Sequence, residues 1–280
     1  MIETFSENSP FLQLDERKKR WAVPYHYEAL NCRIENIIIG NLEKIKNRDI
    51  LDIGSHYGTF AYSTLLYGAK KVIGIDDEKS LITRANELFQ KENIEKSRYD
   101  FFVDDGVNFL KKQKDNSFDT ILSLGILYYI NDPISFLKEM HRVTRDCVII
   151  DTFTVYYAAV VSKDGVEIAN VVPDEVFNTA IVFHPMTQAK KKGYTLKSSF
   201  KTGKNKKEMS VLSLPTIRAL EQFFSLAGFT FEKISWDKYK KRDYYWREFI
   251  DQDFKRTSHW SDVYHTKIRV TYKLYKENNG

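Results

Sequence analysis

The sequence predicts an α/β fold built on a doubly wound, mostly parallel sheet. Three observations predict it. Between Asp49 and Asp151, short β-rich runs alternate with amphipathic stretches at the helix period. The β runs are mostly apolar without alternation, as strands covered on both faces must be. Repeated strand–helix–strand units also require right-handed crossovers into one parallel sheet.

The elements follow in order. DILDIG (49–54) reads as strand one, KVIGID (71–76) as strand two and YDFFV (99–103) as strand three. DTILSL (119–124) is strand four and CVIID (147–151) strand five. Before strand one, residues 25–46 are expected to form a helix. In 79–92, Leu81, Ile82, Ala85, Leu88 and Phe89 fall on one helical face. Asp132 and Pro133 suit the N-cap and first turn of the helix ISFLKEMHRV. Residues 154–210 carry no clear period and read as an insertion. LPTIRALEQFFSLAGF restores order as a helix, with Pro215 in its first turn and Gly228 at its C-terminal cap. FTFEKIS (229–235) and KIRVTYKLY (267–275) are strands six and seven, separated by a charged aromatic segment.

The 280 residues are 42% hydrophobic, 14% aromatic and 29% charged, with a mean hydropathy of −0.45. These values exclude disordered, collagen-like and membrane-spanning chains. The N-terminus is acidic, then basic, and lacks an apolar core, so it does not read as a secretory signal. Cys32 and Cys147 are too few for a disulfide framework or a structural zinc site, which points to a reducing cytoplasm. No cluster of His, Asp and Glu has metal-ligand spacing. The charge is uneven: residues 190–207 hold eight lysines and no acid, and removing them turns the net +5 into −3. That run reads as a solvated loop or, more sharply, as a contact for a phosphate-bearing partner.

The sharpest chemical signal is LDIGSHYGTF (51–60), a strand, a glycine and the start of a helix. Gly54 permits a tight turn and close approach of backbone to ligand, and Gly58 lets the next helix pack closely. The glycine usual between them is replaced by His56. Asp76 ends strand two, 24 residues after Asp52, where an acid can accept from both ribose hydroxyls of an adenosine or simply cap the next helix. Asp104-Asp105-Gly106 ends strand three on the same edge. It offers an acceptor for an adenine amino group, with Gly106 leaving room for the ring, or else a plain turn.

With these residues in view, the chain resembles the class I S-adenosyl-L-methionine (SAM)-dependent methyltransferases. The resemblance rests on LDIGSHYG, VIGIDD, VDDGVNF and FDTILSLGILYYINDPISFLKEMHRV, and it covers 48–152 well and 211–275 loosely. The last of these motifs is most similar to the tRNA wobble-uridine carboxymethyltransferases and their small-molecule-modifying relatives. The resemblance implies a Rossmann-like doubly wound sheet of the class I methyltransferase type, mostly parallel with an antiparallel last strand. It divides the chain into an N-terminal helical lid (1–47), a SAM-binding core (48–153), a substrate-covering insertion (154–210) and the rest of the core (211–280), itself interrupted by an aromatic insertion (238–266). It implies that Gly54 contacts the methionine end of SAM, Asp76 the ribose, and Asp105 and Gly106 the adenine. Leu124 and Tyr128 would line the cofactor and the transferring methyl, and Arg33 would stand against the cofactor. Asp52, Ser55, His56 and Asp77 complete the expected cofactor set. Tyr129 stands where relatives often carry histidine, and no lysine for a carboxylated cofactor can be placed, so ordinary SAM is expected.

Aromatic faces favour a sulfonium, which suits Tyr128 beside the transferring methyl as a catalytic candidate. A hydroxyl or protonated amine acceptor needs a base. Asp151, at the carboxyl end of strand five, is the leading candidate, followed by His184 in the insertion. His141 is expected on an exposed helix face, and His26 in a lid or in the core. The expected function is methyl transfer to O or N of a small molecule, without membrane contact. An RNA methyltransferase and a non-catalytic SAM-binding protein are the alternatives. A nicotinamide dehydrogenase is disfavoured because GSHYGT lacks the second glycine of its fingerprint.

Overall fold

The computed structural model describes residues 1–12, 27–157, 181–187, 200–202, 207–243 and 259–276. Its centre is a seven-stranded sheet. The strands are β1 (Asp49–Ile53), β2 (Lys71–Asp76), β3 (Tyr99–Val103), β4 (Phe118–Leu124), β5 (Thr144–Phe153), β9 (Phe229–Lys233) and β10 (Arg269–Lys276). Their order in space is β3-β2-β1-β4-β5-β10-β9. β1 to β5 pair in parallel, whereas β10 runs antiparallel to both β5 and β9. The mostly parallel sheet with an antiparallel last strand is therefore present. β1 and β4 are almost continuously buried, which explains their unbroken apolar sequence.

Helices cover both faces. On one lie α1 (Tyr27–Ile37), α2 (Thr59–Leu66) and α3 (Lys79–Lys91), which pack against Ile50, Leu122 and Ile149. On the other lie α4 (Gly106–Lys112), α5 (Pro133–Val143) and α6 (Ile217–Leu226), packed against Leu51, Ile121 and Ile150. Capping fixes where these helices begin. Asp132 accepts from Ser135 N at 3.0 Å and starts α5, a contact worth about 1 kcal/mol.

Several expectations need correction. The helix expected over 25–46 is α1 followed by a 3₁₀ turn at Ile39–Lys44. Asn41 leaves helical geometry, and its side-chain amide donates to the carbonyls of Ile37 (2.8 Å) and Asn36 (3.2 Å), closing α1. Pro215 belongs to a strand, and Thr216 caps α6 by accepting from Ala219 N at 3.1 Å. The expected patternless insertion contains a three-stranded antiparallel sheet of β6 (Ile181–Thr187), β7 (Phe200–Thr202) and β8 (Lys207–Pro215), in the order β6-β8-β7. β8 lies against a 3₁₀ turn at Leu127–Tyr129, so this second sheet borders the carboxyl edge of the first. His141 is half-buried rather than exposed, with its ring edge-on to Phe229 at 4.9 Å and above Gly228. His26, most of the lysine run and residues 244–258 of the aromatic segment lie outside the described residues. The rest of that segment includes α7 (Asp262–His265), where Tyr264 stacks on Trp236 at 3.8 Å. Among the described residues no helix is long and apolar enough to cross a membrane.

Candidate active site

The order of the sheet reverses between β1 and β4, where parallel strands diverge and ligands find a crevice at the carboxyl ends. β1 delivers the glycine turn to this point. Gly54 has φ +72° and Gly58 φ +74°, both left-handed. Between them His56, at φ +53°, adopts a conformation natural to the glycine it replaces. Gly54 N and Ser55 N both donate to Ile75 O, at 2.8 and 2.9 Å, which holds the turn against β2. A β-carbon on Gly54 would fall 2.1 Å from Ile126 Cδ1. Gly54→Ala is therefore expected to combine left-handed strain with a steric clash and to cost about 1–3 kcal/mol. Urea denaturation would read this as a lower midpoint, and an unchanged midpoint would contradict the tight turn. The space above Gly58 is filled by Phe101 and Phe89, each 2.8 Å from the point a β-carbon would occupy, which gives the close helix packing its physical reason.

Asp76 is tied into this turn. Its Oδ2 accepts from His56 N at 3.0 Å and its Oδ1 from Glu78 N at 3.1 Å. It thus organises both the glycine turn and the start of α3. Burial raises its pKa to about 6, and burial raises that of Asp52 to about 7. Three further buried atoms, Asp52 Oδ2, Ser55 Oγ and Ser123 Oγ, have no hydrogen-bond partner among the described residues. All three sit at or beside the carboxyl ends of β1 and β4. Buried polar atoms are rarely left unsatisfied. Their concentration at the switch point, beside a glycine turn and an acid ending β2, fits a polar ligand such as adenosine.

The third expected contact differs in detail. Asp105 caps α4 by accepting from Asn108 N at 3.0 Å, and Gly106 is the first residue of that helix. A β-carbon on Gly106 would meet Ile53 Cγ2 at 2.9 Å. The glycine therefore makes room for Ile53 rather than for a ring. Asp77 is exposed beside Asp76.

Beyond β4, the chain enters the 3₁₀ turn, and Gly125 N donates to Asp151 O at 2.7 Å. Leu124 stands beside Asp151 in the register of β4 and β5. Tyr128 is buried, its ring 5.0 Å from that of Phe153, and burial with the neighbouring Tyr129 keeps its phenol neutral far above the usual range. Asp151 requires a correction. Its Oδ1 accepts from Arg269 Nε and faces Arg33 Nη2 at 3.5 Å. Its Oδ2 accepts from Tyr264 Oη at 3.1 Å and Thr271 Oγ1 at 3.0 Å. Burial alone would raise its pKa, yet Arg269 and Arg33 together hold it below the ordinary carboxylate range. A fully engaged, stabilised carboxylate is a poor proton acceptor, so Asp151 is an anchor and not the base.

Arg33 and Asp151, expected in separate roles, are thus brought together, with Arg269 and Tyr264 completing the group. Sequence reasoning missed the last two. The available signal was Arg269, a charge set between Ile268 and Val270 in the strand KIRVTYKLY. His184 lies on β6, and its side chain is outside the described residues. His141 is on α5, on the opposite face of the sheet from Asp151 and Arg33.

Comparison with known proteins adds independent findings. A family described as a methyltransferase domain matches residues 44–249. The tRNA U34 carboxymethyltransferase of Idiomarina loihiensis is 28% identical over 105 residues, 38% of this chain and 32% of the relative. Its counterpart from Helicobacter acinonychis is 25% identical over 122 residues, 41% of this chain and 46% of the relative. The chain thus spans less than half the length of these curated relatives. A SAM-dependent methyltransferase structure from Clostridium acetobutylicum superposes with a TM-score of 0.54 at 13% identity, covering 89% of this chain and 92% of that one. At this identity the likeness concerns the fold.

Proposed function

Because this chain belongs to the methyltransferase-domain family, we propose that it is a SAM-dependent methyltransferase that methylates an O or N atom of a small-molecule acceptor. The observation that carries this reading is the apolar and aromatic surroundings of the 3₁₀ turn at the carboxyl edge, where Tyr128, Phe153, Leu212 and Leu214 are buried and β5 and β8 pack. Such surroundings suit a compact molecule more than a nucleic-acid backbone.

When bound, SAM supplies an electrophilic methyl on a sulfonium and leaves as the neutral thioether. The protein's work is positioning and exclusion of water. In this reading Asp76 accepts from the ribose hydroxyls, Ser55 Oγ offers a polar contact at the glycine turn, and Asp105 stands on the adenine side. Tyr128, a neutral phenol, turns an aromatic ring toward the cation. With Asp151 committed to arginines, the acceptor atom presents its own lone pair, and its proton, where it has one, passes to solvent. The test is production of S-adenosylhomocysteine (SAH) with small-molecule acceptors. Turnover with them supports the reading; turnover only with tRNA transfers it to the RNA alternative, which the two tRNA-modifying relatives favour. Failure to bind bulk tRNA at low salt would remove that alternative.

The raised pKa of Asp76 gives a pH signature. Ribose hydroxyls donate to the ionised carboxylate, so binding favours the charged form. Affinity for SAH is expected to rise through pH 6 and flatten above pH 7, with binding at pH 5 about tenfold weaker. Unliganded stability has the opposite sign. Asp52 and Asp76, raised above their unfolded values, contribute stability at low pH that is lost as pH climbs through about 6 and 7. Calorimetry at pH 5 and 7.5 reads the first effect. A flat profile for the wild type would remove Asp76 from the ribose contact.

A further inference from the structure

Asp151 acts twice at the carboxyl edge. Its carbonyl accepts from Gly125 N at 2.7 Å and so fixes the backbone that leads into the 3₁₀ turn carrying Tyr128. Its carboxylate accepts from Arg269 Nε and so fixes a buried side chain that reaches the same turn. In the β5–β10 ladder Arg269 stands opposite Phe153, and its guanidinium lies over that ring at 4.8 Å. Tyr128 packs on the same Phe153, with ring centres 5.0 Å apart, and on Tyr129 at 4.4 Å. A β-carbon on Gly125 would stand 3.3 Å from Arg269 Nη2 and 3.4 Å from Tyr128 Oη. The guanidinium and the phenol oxygen therefore converge over a glycine, whose φ of +92° disfavours any β-carbon.

This arrangement bears on the chemistry assigned to Tyr128. A ring attracts a cation only when it presents its face within about 6 Å. A 3₁₀ turn of three residues is too short to hold a side chain in one orientation by itself. Phe153 and Tyr129 pack against the ring of Tyr128, and Arg269 stands at its hydroxyl end. An arginine suits that place because its planar fork, once fixed at Nε, is already oriented for the contacts its outer nitrogens make. Asp151 also sets a compensating negative charge beside the guanidinium.

We propose that Arg269 is a positioning residue for methyl transfer: fixed by Asp151 and seated on Phe153, it holds the hydroxyl end of Tyr128 and so sets the Tyr128 ring against the sulfonium. This deepens the reading that places Tyr128 beside the transferring methyl and rests on it. Arg269 touches neither cofactor nor acceptor; it acts through the ring. The missing β-carbon of Gly125 leaves the two side chains room to meet.

Calorimetry on the whole protein with SAM and with SAH reads the ratio of the two affinities. The ligands differ only in the methyl and its positive charge, so contacts to adenine, ribose and the methionine end cancel. Tyr128→Leu should cost SAM about tenfold more affinity than SAH. Arg269→Lys keeps the cation and loses the fork, and should cost SAM about threefold more than SAH. In the Tyr128→Leu background the same substitution should leave the ratio unchanged, because its effect passes through the ring. Tyr128→Phe carries the test should Arg269→Lys not fold. It keeps the ring and removes only the hydroxyl, and should shift the ratio in the same direction by about threefold. A purely structural Arg269 would lower Tm and weaken both ligands alike. Equal losses of SAM and SAH in Arg269→Lys, an effect of that variant that persists in full without the Tyr128 ring, or a wild-type ratio in Tyr128→Phe would each overturn the proposal. An unchanged ratio in Tyr128→Leu would remove the ring from the methyl, and the proposal with it. A wild type that binds neither ligand would sink the cofactor assignment itself.

Discussion

Replacing Asp151 with alanine is expected to destabilise the fold by about 3–5 kcal/mol, the usual cost of breaking a buried ion pair by removing one partner. The change strands Arg33 and Arg269 together with no anion between them, and also removes the acceptor for Tyr264 and Thr271. In a chain of this size each kcal/mol moves Tm by roughly 2–4 °C, so a fall on the order of 10 °C should appear in thermal denaturation. Asp151→Leu combined with Arg33→Met and Arg269→Met should recover much of the loss, because an apolar trio carries no charge to desolvate. An Asp151→Ala protein melting within a degree or two of wild type would show that the arginines are solvated, contrary to their burial. The wild-type contribution has a definite pH sense. Asp151 is held below its unfolded pKa, so its stabilisation is present above about pH 4 and fades as pH falls through the depressed folded value.

The second large effect is on binding. Asp76→Ala should weaken SAH binding by at least about 100-fold, since hydrogen bonds to a charged group contribute about 1.5–3 kcal/mol each and a ribose offers two hydroxyls. Asp76 also receives His56 N and Glu78 N, so alanine loosens the glycine turn as well. Asp76→Asn removes the charge and keeps only one of the two acceptors that His56 N and Glu78 N use, so it should bind SAH weakly and without the rise through pH 6. Calorimetry would show both. Wild-type affinity in Asp76→Asn would remove the carboxylate from ligand recognition.

The core was legible in the sequence because its signals are local. The five apolar runs from DILDIG to CVIID became parallel strands, the first four with nearly the expected bounds and the fifth extended to Thr144–Phe153; in β1 and β4 burial on both faces writes itself as uninterrupted hydrophobicity. The glycine turn was legible for a similar reason, as left-handed backbone favours Gly54 and Gly58 wherever they pack. The three-stranded sheet of β6, β7 and β8 was not, because its order in space depends on pairing across residues with no period of their own. Gly106 misled because a missing β-carbon makes equal room for a ligand or for a neighbour, and Ile53 was the neighbour.

What the sequence determined by itself is the parallel sheet, its glycine turn and the acids that end β2 and β3. Each follows from residues within a few positions of one another, whose steric and hydrophobic preferences act before any distant contact forms. Only the tertiary structure decided the role of Asp151. Arg33 precedes it by more than a hundred residues and Arg269 follows it by as many, and the sheet order that joins β5 to β10 places all three in one desolvated space. A carboxylate's chemistry depends on the charges within a few ångströms, and folding sets those distances.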